Sequence, residues 1–115
     1  MAYRETKNAV VDKSFYFGCD IVLFCKKLKE VREYEIARQL IRCGTSIGAN
    51  VRESQRGVSS KDFKHKLAIA LKEADETMYW LGIIEETTME IPNNLEAKCE
   101  ELIKLLVTII KNTSF

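Results

Sequence analysis

Ser46, Asn50 and Glu53 stand at i, i+4 and i+7, a spacing that puts an alcohol, an amide and a carboxylate on one face of a helix. Glu73 and Glu76, with Trp80 four residues on and Lys72 alongside, repeat the arrangement further along the chain. Two such faces brought together offer two uses. Enclosed around Asn50, Glu53 and Glu76 with a mouth open to water, they form a polar pocket able to hold a ligand or move a proton. Bonded to one another, with Asn50 and Glu53 reaching Lys72, they form a buried polar layer that fixes helix register in an apolar interior. The expectation adopted for Ser46, Asn50, Glu53, Lys72, Glu73 and Glu76 is the structural one, with the pocket as its alternative.

The rest of the chain adds no catalytic partner. His65, its one histidine, follows Asp62 by three residues, whereas di-iron bundles need a Glu-x-x-His pair on each of two helices. No glycine-rich phosphate loop, nucleophile elbow or zinc-finger spacing is present, so neither a catalytic residue nor a metal or cofactor is expected. Cys19, Cys25, Cys43 and Cys99 lack CxxC spacing and read as reduced thiols of a cytoplasmic protein.

A second chemistry lies in charge. The formal net charge is only +1, yet residues 26–66 carry eleven Lys and Arg against five Asp and Glu, and residues 67–115 carry four against nine. Arg52, Arg56, Lys61 and Lys64 flank one turn, where they could meet the phosphates of RNA or DNA beside a helix N-terminus. The alternative is a solvated surface that complements acidic helices or a protein partner. Phe15, Tyr16, Tyr79 and Trp80 supply more aromatic surface than one small bundle hides, which points to a subunit interface and a homo-oligomer.

Four amphipathic segments must position these residues. Phe17, Ile21, Phe24, Leu28 and Val31 form one helical stripe, and Ile36, Leu40, Cys43, Ile47 and Val51 a second within about Glu35 to Gln55, stopping near Gly57, a natural left-handed cap. Ser59 and Asp62 resemble a capping box opening a third helix, striped from Phe63 through Leu67, Ala74 and Leu81 to Ile84. After Pro92, Asn93 and Glu96 suggest a cap for the fourth, which runs through Leu102 to Ile109 before a fraying tail. Gly44, Gly48 and Ala49 make a small-residue strip on helix two. It is explained by close helix approach, within or between subunits, or by room left for a ligand.

These segments, joined by short connections, predict an all-α, antiparallel up-down-up-down four-helix bundle. With 115 residues, one proline and 46% hydrophobic content, the chain reads as a single domain over 1–115, with a loosely tied extension at about 1–12. Charges at Arg4, Glu5, Lys7, Asp12 and Lys13 break any signal-peptide core, and the apolar run Ile21 to Cys25 is far short of the ~20 residues that span a bilayer, so no membrane partner is expected.

The order of residues Gln39 to Glu53, Ser60 to Lys66 and Ile69 to Leu81 resembles the four-helix bundle family related to the 23S rRNA intervening sequence protein, over roughly residues 15–110. Where that branch usually reads Asn-Ile-Ala-Glu-Gly, this chain has Asn50-Val-Arg-Glu-Ser54, the mark of a sister branch. The resemblance implies a pentameric ring. A related accessory protein of diversity-generating retroelements is similar in fold and implies nucleic-acid binding through a basic surface. No enzymatic residues follow from the resemblance, and the polar motif positions carry a structural role. The expected function is therefore a non-enzymatic oligomeric scaffold associated with nucleic acid.

Overall fold

In the computed structural model, which describes residues 2–113, the apolar stripes coil into four helices: α1 (Ala9–Glu30), α2 (Tyr34–Ser54), α3 (Ser60–Thr87) and α4 (Leu95–Asn112). Consecutive helices pack against each other, α4 closes back on α1, and the backbones of the diagonal pairs stay apart. This is the antiparallel four-helix bundle that the periodicity predicts. Its centre is filled by Ile21, Phe24 and Leu28 from α1, Leu40 and Ile47 from α2, Leu67 and Leu81 from α3, and Leu102 and Leu106 from α4. Ser114 and Phe115, the end of the tail expected to fray, lie outside the described residues.

The ends of the helices depart from expectation in three places. α1 begins at Ala9, inside the segment expected to be a loose extension. The Asn8 side chain accepts the Val10 N–H at 3.2 Å, and Asp12 adds a carboxylate to the positive first turn. Val10 and Ser14 extend the buried stripe backward; polar Ser14 hid that continuation, because its hydroxyl is satisfied by the Val11 carbonyl at 3.1 Å.

Gly57 is not a left-handed cap, since no glycine has positive φ. It sits where the chain folds tightly onto α3: a Cβ there would lie 3.0 Å from Asp62 Oδ2 and 3.2 Å from the Phe63 nitrogen. Half of the expected capping box forms: the Ser59 hydroxyl accepts the Asp62 N–H at 3.1 Å, but the Asp62 carboxylate does not reach back to the Ser59 N–H. Before α4, the turn is made by backbone rather than by an Asn93 side-chain cap. Asn93 and Asn94 both adopt left-handed conformations, which asparagine tolerates, and neither the Asn94 side chain nor Glu96 caps the helix.

The small-residue strip of α2 is used inside the subunit. A Cβ on Gly44 would lie 2.8 Å from Ile21 Cγ2, and one on Gly48 would lie 3.0 Å from the Ser14 carbonyl oxygen. The two helices therefore approach backbone to backbone, which offsets the roughly 1 kcal/mol that a helical glycine costs against alanine. Gly82 in α3 has open space around it. Gly44→Ala should lower the free energy of unfolding by about 1–3 kcal/mol through overpacking. Gly82→Ala should raise it by about 0.5–1 kcal/mol. Urea denaturation of both variants checks the contrast; equal effects would remove the close-approach account.

Candidate functional site

The polar residues of α2 and α3 do meet, but at the rim of the bundle and through a residue the spacing did not single out. Arg42 donates to Glu73 at 3.1 Å and also pairs with Glu76, tying α2 to α3. Ser46 Oγ donates to the Arg42 carbonyl at 2.6 Å, and Asn50 Nδ2 to the Ser46 carbonyl at 2.8 Å. These bonds stay within α2, so Asn50 does not set register between helices. Glu53 pairs with Lys66 at 3.0 Å, not with Lys72, which is exposed. The buried layer is thus corrected to a half-exposed ladder. Arg42 was legible only as one more cation on a polar face.

The aromatics separate into two pairs. Tyr79 and Trp80 meet edge to face on α3, ring centroids 5.7 Å apart, with Tyr79 63% exposed. Phe15 and Tyr16 lie on α1, where the N-terminal segment folds back over them. The Tyr3 ring stacks on Phe15 with centroids 3.7 Å apart and planes 9° apart, and Tyr16 stands edge-on to both. The segment is tied by Tyr3 Oη donating to Asp12 at 2.6 Å, the Thr6 N–H to Asp12 at 3.0 Å, and Asn8 Nδ2 to Gln55 at 3.2 Å. Residues 2–8 are therefore a docked strap.

Between this strap, α1 and α2 opens a groove of about 1040 Å³. Gly18, Cys19, Val22, Gly48 and Ala49 give it an apolar floor, and Arg4, Arg52 and Arg56 provide its charge. Lys61 and Lys64 stand across the α2–α3 turn on the first turns of α3, so the four cations singled out share one end of the bundle, though only Arg52 and Arg56 line the groove. Arg4 joins Arg52 and Arg56 only because the strap folds back; nothing in its own sequence neighbourhood announces this.

Hydrogen bonding sets the electrostatics here. The bond to Asp12 pushes the Tyr3 hydroxyl up to about 12 and holds the Asp12 carboxyl below its usual range, helped by the Thr6 N–H. Glu5 raises Tyr16 in the same way. At the other end of the bundle Glu85 hydrogen-bonds Glu96 and raises it. Burial pushes Cys25 to about 11 and Cys99 to about 12, and raises Cys43, leaving these thiols protonated and unreactive. Among the described residues, no group of three or more His, Cys, Asp and Glu side chains is placed to hold a metal ion.

Together these features define a small antiparallel helical bundle whose distinctive surface is an arginine-lined groove at one end. The chain belongs to the 23S rRNA-intervening sequence protein family, whose sequence model matches residues 6–108. It is also similar to the crystal structure of a protein of unknown function from the S23 ribosomal protein family of Bacteroides thetaiotaomicron. Identity is 43% and the TM-score 0.86, over 90% of this chain and 99% of that one. No curated protein matches the chain significantly.

The strap's central bond gives a pH prediction. The Tyr3 hydroxyl is raised on folding, so its contribution is complete below the usual tyrosine value of 10.0 and is lost as pH rises through about 12. Asp12 is lowered, so its contribution is present above the usual 3.8 and is lost as pH falls through the depressed value. Tyrosinate absorbance in Asp12→Asn should show Tyr3 ionising at lower pH than in the native chain; an unchanged titration would mean that the strap is not held by this bond.

Proposed function

We propose that this chain is a non-enzymatic, cytoplasmic scaffold that assembles into a homopentameric ring and binds nucleic acid, RNA or DNA, through the basic end of each bundle. The observation that carries the reading is the gathering of Arg52, Arg56, Lys61 and Lys64 around one bundle end, although the chain as a whole is nearly neutral. The name of its family refers to an intervening sequence of 23S rRNA, which agrees with a polyanionic partner. A ring raises the effective concentration of a weak basic surface fivefold or more, so an assembly binds where one subunit does not.

Assembly is supported by Tyr79, Leu23 and Tyr34, all more than half exposed, which give the bundle apolar surface to cover. Tyr79 and Trp80 are the pair proposed for the interface; Phe15 and Tyr16 have the strap as a partner already and contribute a smaller share. The non-enzymatic reading is supported by the separate engagement of Asn50, Glu53 and Glu76 along the helix surface. A cytoplasmic location agrees with four unpaired cysteines, three of them buried. No helix among the described residues is long and apolar enough to cross a membrane. A protein-interaction module is the second reading, favoured by the exposed Tyr79 ring.

Light scattering on a sizing column should report about 66 kDa, five chains of 13.2 kDa, and Tyr79→Glu should lower that mass. A monomer at high concentration overturns the assembly. RNA or DNA should be retained at low salt and released as salt rises, with retention weakened when Arg52, Arg56, Lys61 and Lys64 are changed to Gln. Absence of retention at low salt leaves the protein-interaction module as the better account.

A further inference from the structure

The groove beside the strap combines two features that the sequence keeps apart. Its charged lining consists of Arg4, Arg52 and Arg56, and no aspartate or glutamate lines it. None of the three guanidinium groups forms an ion pair with another described residue. The carboxylates closest in sequence are already engaged, Asp12 by Tyr3 and Thr6, Glu5 by Tyr16. A groove lined by three arginines that form no ion pair among the described residues, and by no carboxylate, is complementary to a chain of phosphates or carboxylates.

The second feature separates those two. Tyr3 and Phe15, both lining the groove, present a stacked ring pair among the arginines, and Phe15 remains 36% exposed beneath Tyr3. An aromatic platform beside cations suits a base with a free π-face. A duplex offers base edges rather than faces, and an acidic peptide has no general need of a flat ring. The Tyr3 ring is also held in place before any ligand arrives, because its hydroxyl is anchored on Asp12.

We propose that this groove holds single-stranded nucleic acid, with phosphates on Arg4, Arg52 and Arg56 and an unpaired base stacked against the Tyr3–Phe15 ring pair. The proposal rests on the nucleic-acid reading above and deepens it by assigning the strand state and the place on the bundle.

Fluorescence anisotropy of the full chain with a labelled oligouridylate and with an RNA duplex of equal length tests it. The single strand should bind about tenfold more tightly than the duplex. Tyr3→Leu should weaken single-strand binding about fivefold or more, whereas Tyr3→Phe, which keeps the ring and loses only its anchor on Asp12, should weaken it by less than Tyr3→Leu does. Tyr3 lies outside the helices, so the helical circular dichroism of both variants should be unchanged. Arg52→Gln should reduce the slope of log affinity against log salt by about 0.7.

Equal affinity for duplex and single strand overturns the proposal and leaves the broader nucleic-acid reading standing. So does a Tyr3→Leu variant with native affinity while Arg52→Gln weakens binding. Absence of binding to either probe at low salt overturns both. Tighter binding of polyglutamate than of oligouridylate also overturns the proposal and assigns the groove to an acidic protein segment.

Discussion

The backbone approach of α1 to α2 is the contact on which the rest of the molecule depends. At Gly44 and Gly48 there is no room for even a Cβ against Ile21 and the Ser14 carbonyl, so these helices pack closer than side chains of ordinary size allow. That closeness seats Ile21 in the centre of the core and brings Ser14 and Phe17 into line beneath α2. It also shapes the outer surface. Gly18, Gly48 and Ala49 have too little side chain to fill the valley above the contact, and the groove is what remains. One feature of packing thus gives both the tight interior and the open face.

Register is set by this steric fit, with two weak buried bonds across helices, Cys25 Sγ to the Ala37 carbonyl and Cys99 Sγ to the Ala74 carbonyl, rather than by the buried hydroxyls. Ser14, Ser54 and Thr77 are buried, yet each hydroxyl donates to a carbonyl of its own helix three or four residues back, which satisfies it without choosing a neighbour. Arg42, Glu73 and Glu76 do connect two helices, but Arg42 is half exposed, and solvent screens much of what such a pair contributes. Glu53 and Lys66 connect them with still greater exposure of the carboxylate. The apolar stripes and the glycine contact therefore hold the alignment, and the polar ladder reinforces it.

Most of the fold was legible because each helix carries its own stripe, and period and capping are local signals. Ser59 illustrates this: a hydroxyl three residues before Asp62 announces the start of α3, and the bond forms. The errors arose where a local signal had two outcomes. Gly57 reads as a left-handed cap or as a close contact, and only the position of α3 decides. The site was far less legible. The bond from Tyr3 to Asp12 spans nine residues and that from Asn8 to Gln55 spans forty-seven, with no periodicity to reveal either. Arg4 therefore reads as part of a loose end, although folding sets it beside Arg52 and Arg56.

Near-neutrality and a locally cationic groove are compatible because the acidic side chains of the chain lie outside the groove lining. Around the strap, Glu5 and Asp12 each accept a hydrogen bond from a tyrosine hydroxyl, and neither is among the residues that line the groove. Along the bundle, Glu53, Glu73, Glu76 and Glu101 are paired with Lys66, Arg42 and Lys13. At the far end of the bundle Glu85 stands beside Glu96 and raises it. A net charge of +1 averages over this arrangement and conceals it. At distances comparable to the Debye length of about 8 Å, a polyanion responds to the local surface rather than to the sum, and in the groove it meets three arginines and no carboxylate in the lining.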